Sequence, residues 1–189
     1  MRALDFAIVD VETTQGDPRE GRIMEVAVLL HDGRQELARW GDLIRPRVPI
    51  DRFVQRMTGI DRTMLEDAPS FPRVASRIRG LVKGRILVAH NARFDLVALQ
   101  HEFARTGLPF HPDTLCTEKL ARQLLPNLQH YNLASLCRFF GIEQGRRHCA
   151  AYDAEATLAL LLGFIDRFGA ERVLEAVEPG ERPSATRAA

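Results

Sequence analysis

Four carboxylates and one imidazole stand out by type and setting: Asp10 with Glu12, Asp95, and His148 with Asp153. Asp10 and Glu12 close the apolar run Phe6-Ala7-Ile8-Val9 and are separated by Val11. Such a short, β-branched run predicts a strand buried on both faces. Side chains alternate along a strand, so the two acids project from the same face. Two carboxylates side by side at the end of a buried strand repel each other and lose solvation. The pair is tolerable if one is protonated or if a cation sits between them. Hard oxygen donors of this kind suit Mg²⁺ or Mn²⁺. The plainer alternative is a strand that ends at Asp10 and leaves both acids in water.

Asp95 lies four residues after Asn91, in the first turn of a predicted helix that leaves a second buried strand. The helix dipole alone would favour an acid there. Equally, ligands gather at strand ends in open α/β sheets, where Asp95 could face the Asp10/Glu12 pair. His148 and Asp153 are five apart at the start of the last long predicted helix. Ala150, Ala151, Ala154 and Ala156 surround Asp153 and permit close backbone approach. Taken singly, Asp153 is another first-turn acid and His148 a loop histidine beside Arg146 and Arg147. Taken together, four carboxylates from three segments can hold two divalent ions roughly 3.5–4 Å apart. That arrangement suits in-line displacement at a phosphodiester, and a neutral histidine can take the water's proton.

The elements that must position these residues follow from pattern. After the first strand, Gln15-Gly16-Asp17-Pro18 is turn chemistry. A strand is expected over 23–30, a hairpin turn at 31–33 and a third strand over 38–44. Pro46 and Pro49 interrupt the chain. Short helices are expected over 51–57 and 61–66. Ser70 is placed to cap a helix carrying Phe71, Val74, Ile78 and Leu81, with Pro72 in its first turn. A strand over 85–89, a helix over 92–105, a short strand over 113–117 and a helix over 118–125 follow. Asn132 caps a helix over 133–140 that Gly141 ends. The last long helix covers 150–168. Three strands followed by alternating helices and strands imply a mixed α/β sheet flanked by helices.

Bulk properties constrain the rest. A chain of 189 residues, 46% hydrophobic and 27% charged, is an ordinary globular composition with ample length for one core. The net charge is only +1. Yet residues 45–93 carry eleven Lys and Arg against four Asp and Glu. That stretch could line a phosphate path, or simply form a solvated face. Three cysteines with no close pairing argue against a disulfide framework or structural zinc and fit a reducing, cytoplasmic setting. No apolar run reaches the roughly 18 residues of a membrane span, so no membrane partner is expected. Residues 1–178 are expected to form the domain and 179–189 a flexible C-terminal tail.

The residues also carry a resemblance. Phe-Ala-Ile-Val-Asp10-Val-Glu12-Thr13-Thr14 resembles the first motif of the DEDD 3′–5′ exonuclease superfamily. Val-Ala-His90-Asn91-Ala-Arg-Phe94-Asp95 resembles the second. His148-Cys-Ala-Ala-Tyr-Asp153-Ala resembles the third, in the histidine (DEDDh) subclass. Order and spacing agree over roughly residues 4–168. Met57-Thr58-Gly59-Ile60, Asp113-Thr-Leu and Asn132-Leu-Ala-Ser-Leu-Cys are similar to the proofreading (epsilon) exonuclease domain of DNA polymerase III.

This resemblance implies a ribonuclease H-like fold, with a mixed five-stranded sheet whose first three strands are antiparallel. It implies two Mg²⁺ or Mn²⁺ ions, with Asp10, Glu12 and Asp153 on the ion that carries the nucleophilic water, Asp10 bridging to the second, and Asp95 holding that second ion directly or through water. His148 would be the general base. Thr13, Thr14, Thr58, His90 and Asn91 would meet or shape the substrate, and Phe94 would pack in the core. One departure is Gln15, where many relatives have glycine. The expected activity is hydrolysis from the 3′ end of single-stranded or frayed DNA, releasing nucleoside 5′-monophosphates. A DNA polymerase catalytic subunit is a candidate partner. RNA trimming and a non-catalytic nucleic-acid-binding scaffold are the rivals.

Overall fold

The computed structural model describes residues 4–180. β1 (Phe6–Thr13) is the central strand of a five-stranded sheet, flanked on one side by β2 (Ile23–His31) and β3 (Glu36–Leu43), and on the other by β4 (Ile86–Ala89) and β5 (Thr114–Cys116). β1 runs antiparallel to β2 and β2 to β3, whereas β4 and β5 are parallel to β1. The mixed sheet with three leading antiparallel strands is therefore as the sequence implies. Its C-terminal edge brings the ends of β1 and β4 together.

Both sheet faces are covered, as the continuous apolar runs of β1, β2 and β4 require. Ala7, Val9, Val11 and Leu87 face α2 (Phe71–Val82) and α3 (Ala92–Thr106). There Phe103 stacks on Phe110 at 4.3 Å and meets Phe71 edge-on at 5.2 Å. Phe94 is half-buried against this cluster, as expected. Phe6, Ile8, Ala27 and Val88 face the long helix α6 (Ala150–Phe168), through Ala154, Leu160, Leu161 and Phe164. By alternation, Asp10 and Glu12 share the face of Phe6 and Ile8, so α6 lies over them. A third, smaller cluster seats α1 (Arg52–Thr58) through Val54, with Met24, Ile60 and Leu65.

Local signals set several helix ends. Asp51 caps α1 by accepting from the Phe53 and Val54 N–H groups. Asn132 caps α5 (Leu133–Phe140) by accepting from Ser135 N at 3.0 Å. Gly59 and Gly141 end their helices in the left-handed region, which glycine adopts without a Cβ clash.

The differences from expectation are modest. β3 begins two residues earlier. Residues 61–66 form only a 3-10 turn at Thr63–Leu65. Ser70 precedes α2, but its hydroxyl makes no capping bond. The helix expected over 118–125 is α4 (Thr117–Leu124), and a further short helix, α7 (Ala170–Leu174), follows α6. Of the tail expected at 179–189, residues 181–189 lie outside the described range. Glu178 pairs with Thr114 beyond the end of the sheet, and Gly180 N donates to Asp113 at 2.9 Å. No helix among the described residues is long and apolar enough to cross a membrane.

Candidate active site

β1 delivers Asp10 and Glu12 to the C-terminal edge of the sheet, where a bulge between Glu12 and Thr13 bends the strand. α3 starts directly after β4, so its first turn reaches the same edge from the opposite face. Asp95 is 3% exposed there, and its Oδ1 accepts from Val11 N at 3.0 Å. That bond places the Asp95 carboxylate against the peptide between Asp10 and Glu12. α6 brings Asp153, 9% exposed, over the strand from the other side. One donor atom each from Glu12, His148 and Asp153 lie within 4.8 Å of one another. All five residues singled out in the sequence therefore converge.

Asp153 also organises the loop before it. Its Oδ2 accepts from His148 N at 2.9 Å, and its Oδ1 from Gln144 Nε2 at 2.8 Å. His148 adopts φ 57°, a left-handed conformation uncommon for a residue with a side chain. The Asp153 bond holds this strained backbone in place.

The electrostatics follow from crowding acids in a dry place. Burial pushes the Glu12 carboxyl up to about 8, with Glu25, Asp153 and Asp95 adding to the shift. Asp10 is raised well above the usual carboxylate range, first by burial and then by Asp95 and Glu12. Burial raises Asp95 too, although the Val11 N–H opposes the shift. Ionised acids this close need a positive charge among them. The donors are hard oxygens with an imidazole beside them, and they fit a divalent cation.

The remaining expected residues are placed less openly. Thr13 and Thr14 are buried; Thr13 Oγ1 donates to Gln15 O, and Thr14 Oγ1 accepts from Arg22 N. Thr58 is buried, with its hydroxyl committed to Val54 O and Ile60 N. The structure thus does not bring the Thr58 hydroxyl to the cleft surface. His90 is half-buried, its Nδ1 3.0 Å from Thr117 Oγ1, and burial holds its imidazole below the ordinary pKa. Asn91 is exposed, at φ 58°. His90 and Asn91 line a recess with Arg122, His130 and Tyr131 next to the acid cluster.

Sequence reasoning missed Glu25. It lies directly opposite Glu12 across the β1–β2 pair and on the same face. Its Oε2 accepts from Ala150 N at 2.9 Å, and Cys149 Sγ lies 3.7 Å from Oε1. Glu25 thereby ties the start of α6 to the sheet. The one available signal was an acid inside the apolar strand Ile-Met-Glu-Val-Ala-Val. Arg146 was also missed as a contact: its guanidinium donates to Thr58 O at 2.9 Å and joins the His148 loop to α1.

Comparison with known proteins agrees with this geometry. A family model described as exonuclease (RNase T) matches residues 7–161. A PolC-type DNA polymerase III of Caldanaerobacter subterraneus subsp. tengcongensis is 30% identical over 163 residues, covering 86% of this chain and 12% of that protein. The 3′-5′ exonuclease DinG of Bacillus subtilis is 32% identical over 165 residues, covering 86% of this chain and 18% of that protein. The chain thus spans less than a fifth of the length of these curated relatives. Exonuclease X, solved with 5′ overhanging duplex DNA, superposes with a TM-score of 0.72 at 28% identity, covering 90% of this chain and 98% of that one. E. coli exonuclease I with a dA16 oligonucleotide gives a TM-score of 0.79 at 20% identity over 90% of this chain and 42% of that one, a likeness of fold. The mixed sheet, its ribonuclease H-like topology, the convergent acids and the matched span lead to one conclusion: the chain belongs to the exonuclease family.

Proposed function

We propose that this protein is a metal-dependent 3′–5′ exonuclease acting on single-stranded or frayed DNA ends and releasing nucleoside 5′-monophosphates. The observation that carries the proposal is the convergence of Asp10, Glu12, Asp95, His148 and Asp153 at one sheet edge, with Asp95 bonded to the peptide between the first two. The acids would hold two Mg²⁺ or Mn²⁺ ions, with Asp10, Glu12 and Asp153 on one and Asp95 on the second. Bound there, the ions supply a nucleophile at neutral pH and offset charge at the leaving oxygen.

The chain's own groups do the rest. His148 accepts the proton of the attacking water, and its backbone bond to Asp153 fixes where the imidazole stands. The water oxygen bonds to phosphorus in line with the breaking P–O3′ bond. The shortened strand keeps a 3′-hydroxyl, and the departing nucleotide keeps its 5′-phosphate. The buried Thr13 and Thr14 shape the turn under the terminal nucleotide, while His90 and Asn91 border the recess beside it.

The DNA-acting relatives support DNA over RNA as substrate. The similarity to a short part of PolC-type DNA polymerase III supports a DNA polymerase as a candidate partner. The deciding experiment is a degradation panel of 5′-labelled single-stranded DNA, mismatched duplex and RNA, with and without Mg²⁺ or Mn²⁺. Stepwise shortening of DNA from its 3′ end, abolished by chelation, is the expected result. Faster degradation of RNA would make the protein an RNA-trimming enzyme. Intact substrate in every lane would leave a binding scaffold.

A further inference from the structure

Residues 45–67, which carry five Arg against four Asp and Glu, surround α1, and α1 is fastened to the active site at both ends. At its start, Asp51 N donates to Thr14 O at 2.9 Å. At its end, Thr58 O accepts from Arg146, two residues before His148. The helix turns Val54 and Thr58 inward. What it presents outward is unusual. Phe53 is 65% exposed, and Met57 beside it is also exposed. Arg52 and Arg56 are exposed and four apart, so they form a cationic row next to the apolar one. Neither they nor Arg47 and Arg62 enter an ion pair among the described residues. Of the four nearby acids, Asp51 caps α1 and Asp61 accepts from Met64 N, while Glu66 and Asp67 are exposed. A cavity of about 390 Å³ just before the helix in sequence has Arg45, Arg47, Arg62 and Glu66 in its walls.

Phe53 and Met57 form an exposed apolar pair on which a base can stack, and exposed arginines in a row attract phosphates. We propose that this outward face of α1 is the platform for the single strand upstream of the 3′ end. A base stacks on Phe53, and backbone phosphates lie against Arg52 and Arg56, with Arg47 and Arg62 extending the path. The proposal rests on the exonuclease reading of the adjacent site and adds the route by which the strand reaches it. Charge complementarity favours nucleic acid over a protein partner, since the charged side chains of α1 itself, Arg52 and Arg56, are both cationic and exposed.

The test uses the full chain, Phe53→Ala and the double variant Arg52→Ala/Arg56→Ala, with unfolding temperature as a folding control. Binding of fluorescent dT15 is measured by anisotropy in EDTA across a salt series. Hydrolysis of the p-nitrophenyl ester of thymidine 5′-monophosphate, which has no upstream strand, is measured with Mn²⁺. Phe53→Ala is expected to weaken dT15 binding about 5- to 150-fold, the loss of one base stack. The double arginine variant is expected to flatten the slope of log affinity against log salt by about 1.4, since each single-strand phosphate contact contributes about 0.7. Both variants should hydrolyse the p-nitrophenyl ester at the wild-type rate. Unchanged dT15 affinity and slope would overturn the platform and leave the face to a protein partner. Equal loss on both substrates would also overturn it, because the variants would then be disturbing the site itself. Failure of the exonuclease reading is distinguishable, because wild type would then hydrolyse neither the ester nor the oligonucleotide.

Discussion

Replacing Glu25 separates two roles that a carboxylate opposite Glu12 could play. Glu25→Ala removes the acceptor of Ala150 N, a loss comparable to deleting a helix N-cap, on the order of 1–2 kcal/mol. Measured at about pH 8 and above, where Glu12 is ionised, the same change relieves like-charge repulsion across the strand pair, which returns roughly 0.2–1 kcal/mol. Net metal-free stability should therefore fall by only about 1 kcal/mol, or about 2–4 °C in unfolding temperature for a chain of this length. Turnover should respond more strongly. The bond sets where α6 begins, and so where Asp153 and the His148 loop sit over Glu12. A displacement there of about 1 Å can cost on the order of 10²-fold in rate. Glu25→Gln keeps an oxygen acceptor for Ala150 N and drops the charge, so it should recover most of the rate. Steady-state hydrolysis of a 5′-labelled oligonucleotide with Mn²⁺, alongside thermal unfolding, reads both quantities. If the glutamine variant were as slow as the alanine variant, the charge would matter and the latch would not. Wild-type turnover in Glu25→Ala would refute the reasoning outright.

Asp10→Ala should abolish hydrolysis while leaving the fold intact, and the metal-free protein should unfold no earlier than wild type, because a half-buried acid repelled by its neighbours has been removed; a clear drop in unfolding temperature would contradict the crowding described. His148→Ala should cost on the order of 10²–10⁴ in rate, and near-normal turnover would remove it as the base. Glu12 has its carboxyl raised to about 8, and Asp10 and Asp95 are raised with it, so the folded metal-free protein binds more protons than the unfolded chain between the ordinary carboxylate range and pH 8. Metal-free stability should therefore fall as pH rises from 5 to 8, and Mn²⁺, which takes the ionised acids, should reverse the trend in thermal unfolding. Arg22→Ala leaves Glu102, 2% exposed and held by two guanidinium bonds, without its cation; the loss should be about 2–4 kcal/mol in denaturant unfolding, less than for a fully buried pair because Arg22 is partly solvated.

What the sequence made legible was local or periodic. The Phe6–Val9 run, the caps at Asp51 and Asn132 and the glycine stop at Gly141 each depend on neighbours a few residues away. The acids were legible as types because ionisable residues in buried strands and alanine-rich helix starts are costly without a purpose. What stayed hidden depends on distant partners. Glu25 acquires its role from Ala150, 125 residues on, and Arg146 from Thr58, 88 residues back. Thr58 is expected at the substrate, but the cluster of Met24, Val54, Ile60 and Leu65 draws its side of α1 inward. Ser70 has the right type for a cap, but its hydroxyl makes no capping bond, so residue type alone did not decide the contact. The five-residue α7 is too short to leave a periodic signal, and it is held by packing Val173 under α6.

β1 has a hydrogen-bonded neighbour on each side, β2 along its whole length and β4 over its first part. Its amides are among the last that native fluctuations would expose. The loop carrying His148 is fixed by a left-handed backbone, one carboxylate and one arginine contact. The centre therefore divides into a half carried on the sheet, Asp10 and Glu12, and a half carried on the loop, held by side-chain contacts rather than strand pairing. On the proposed function, the loop is then the part placed to move for substrate entry and product release, while the acids on β1 stay with the sheet.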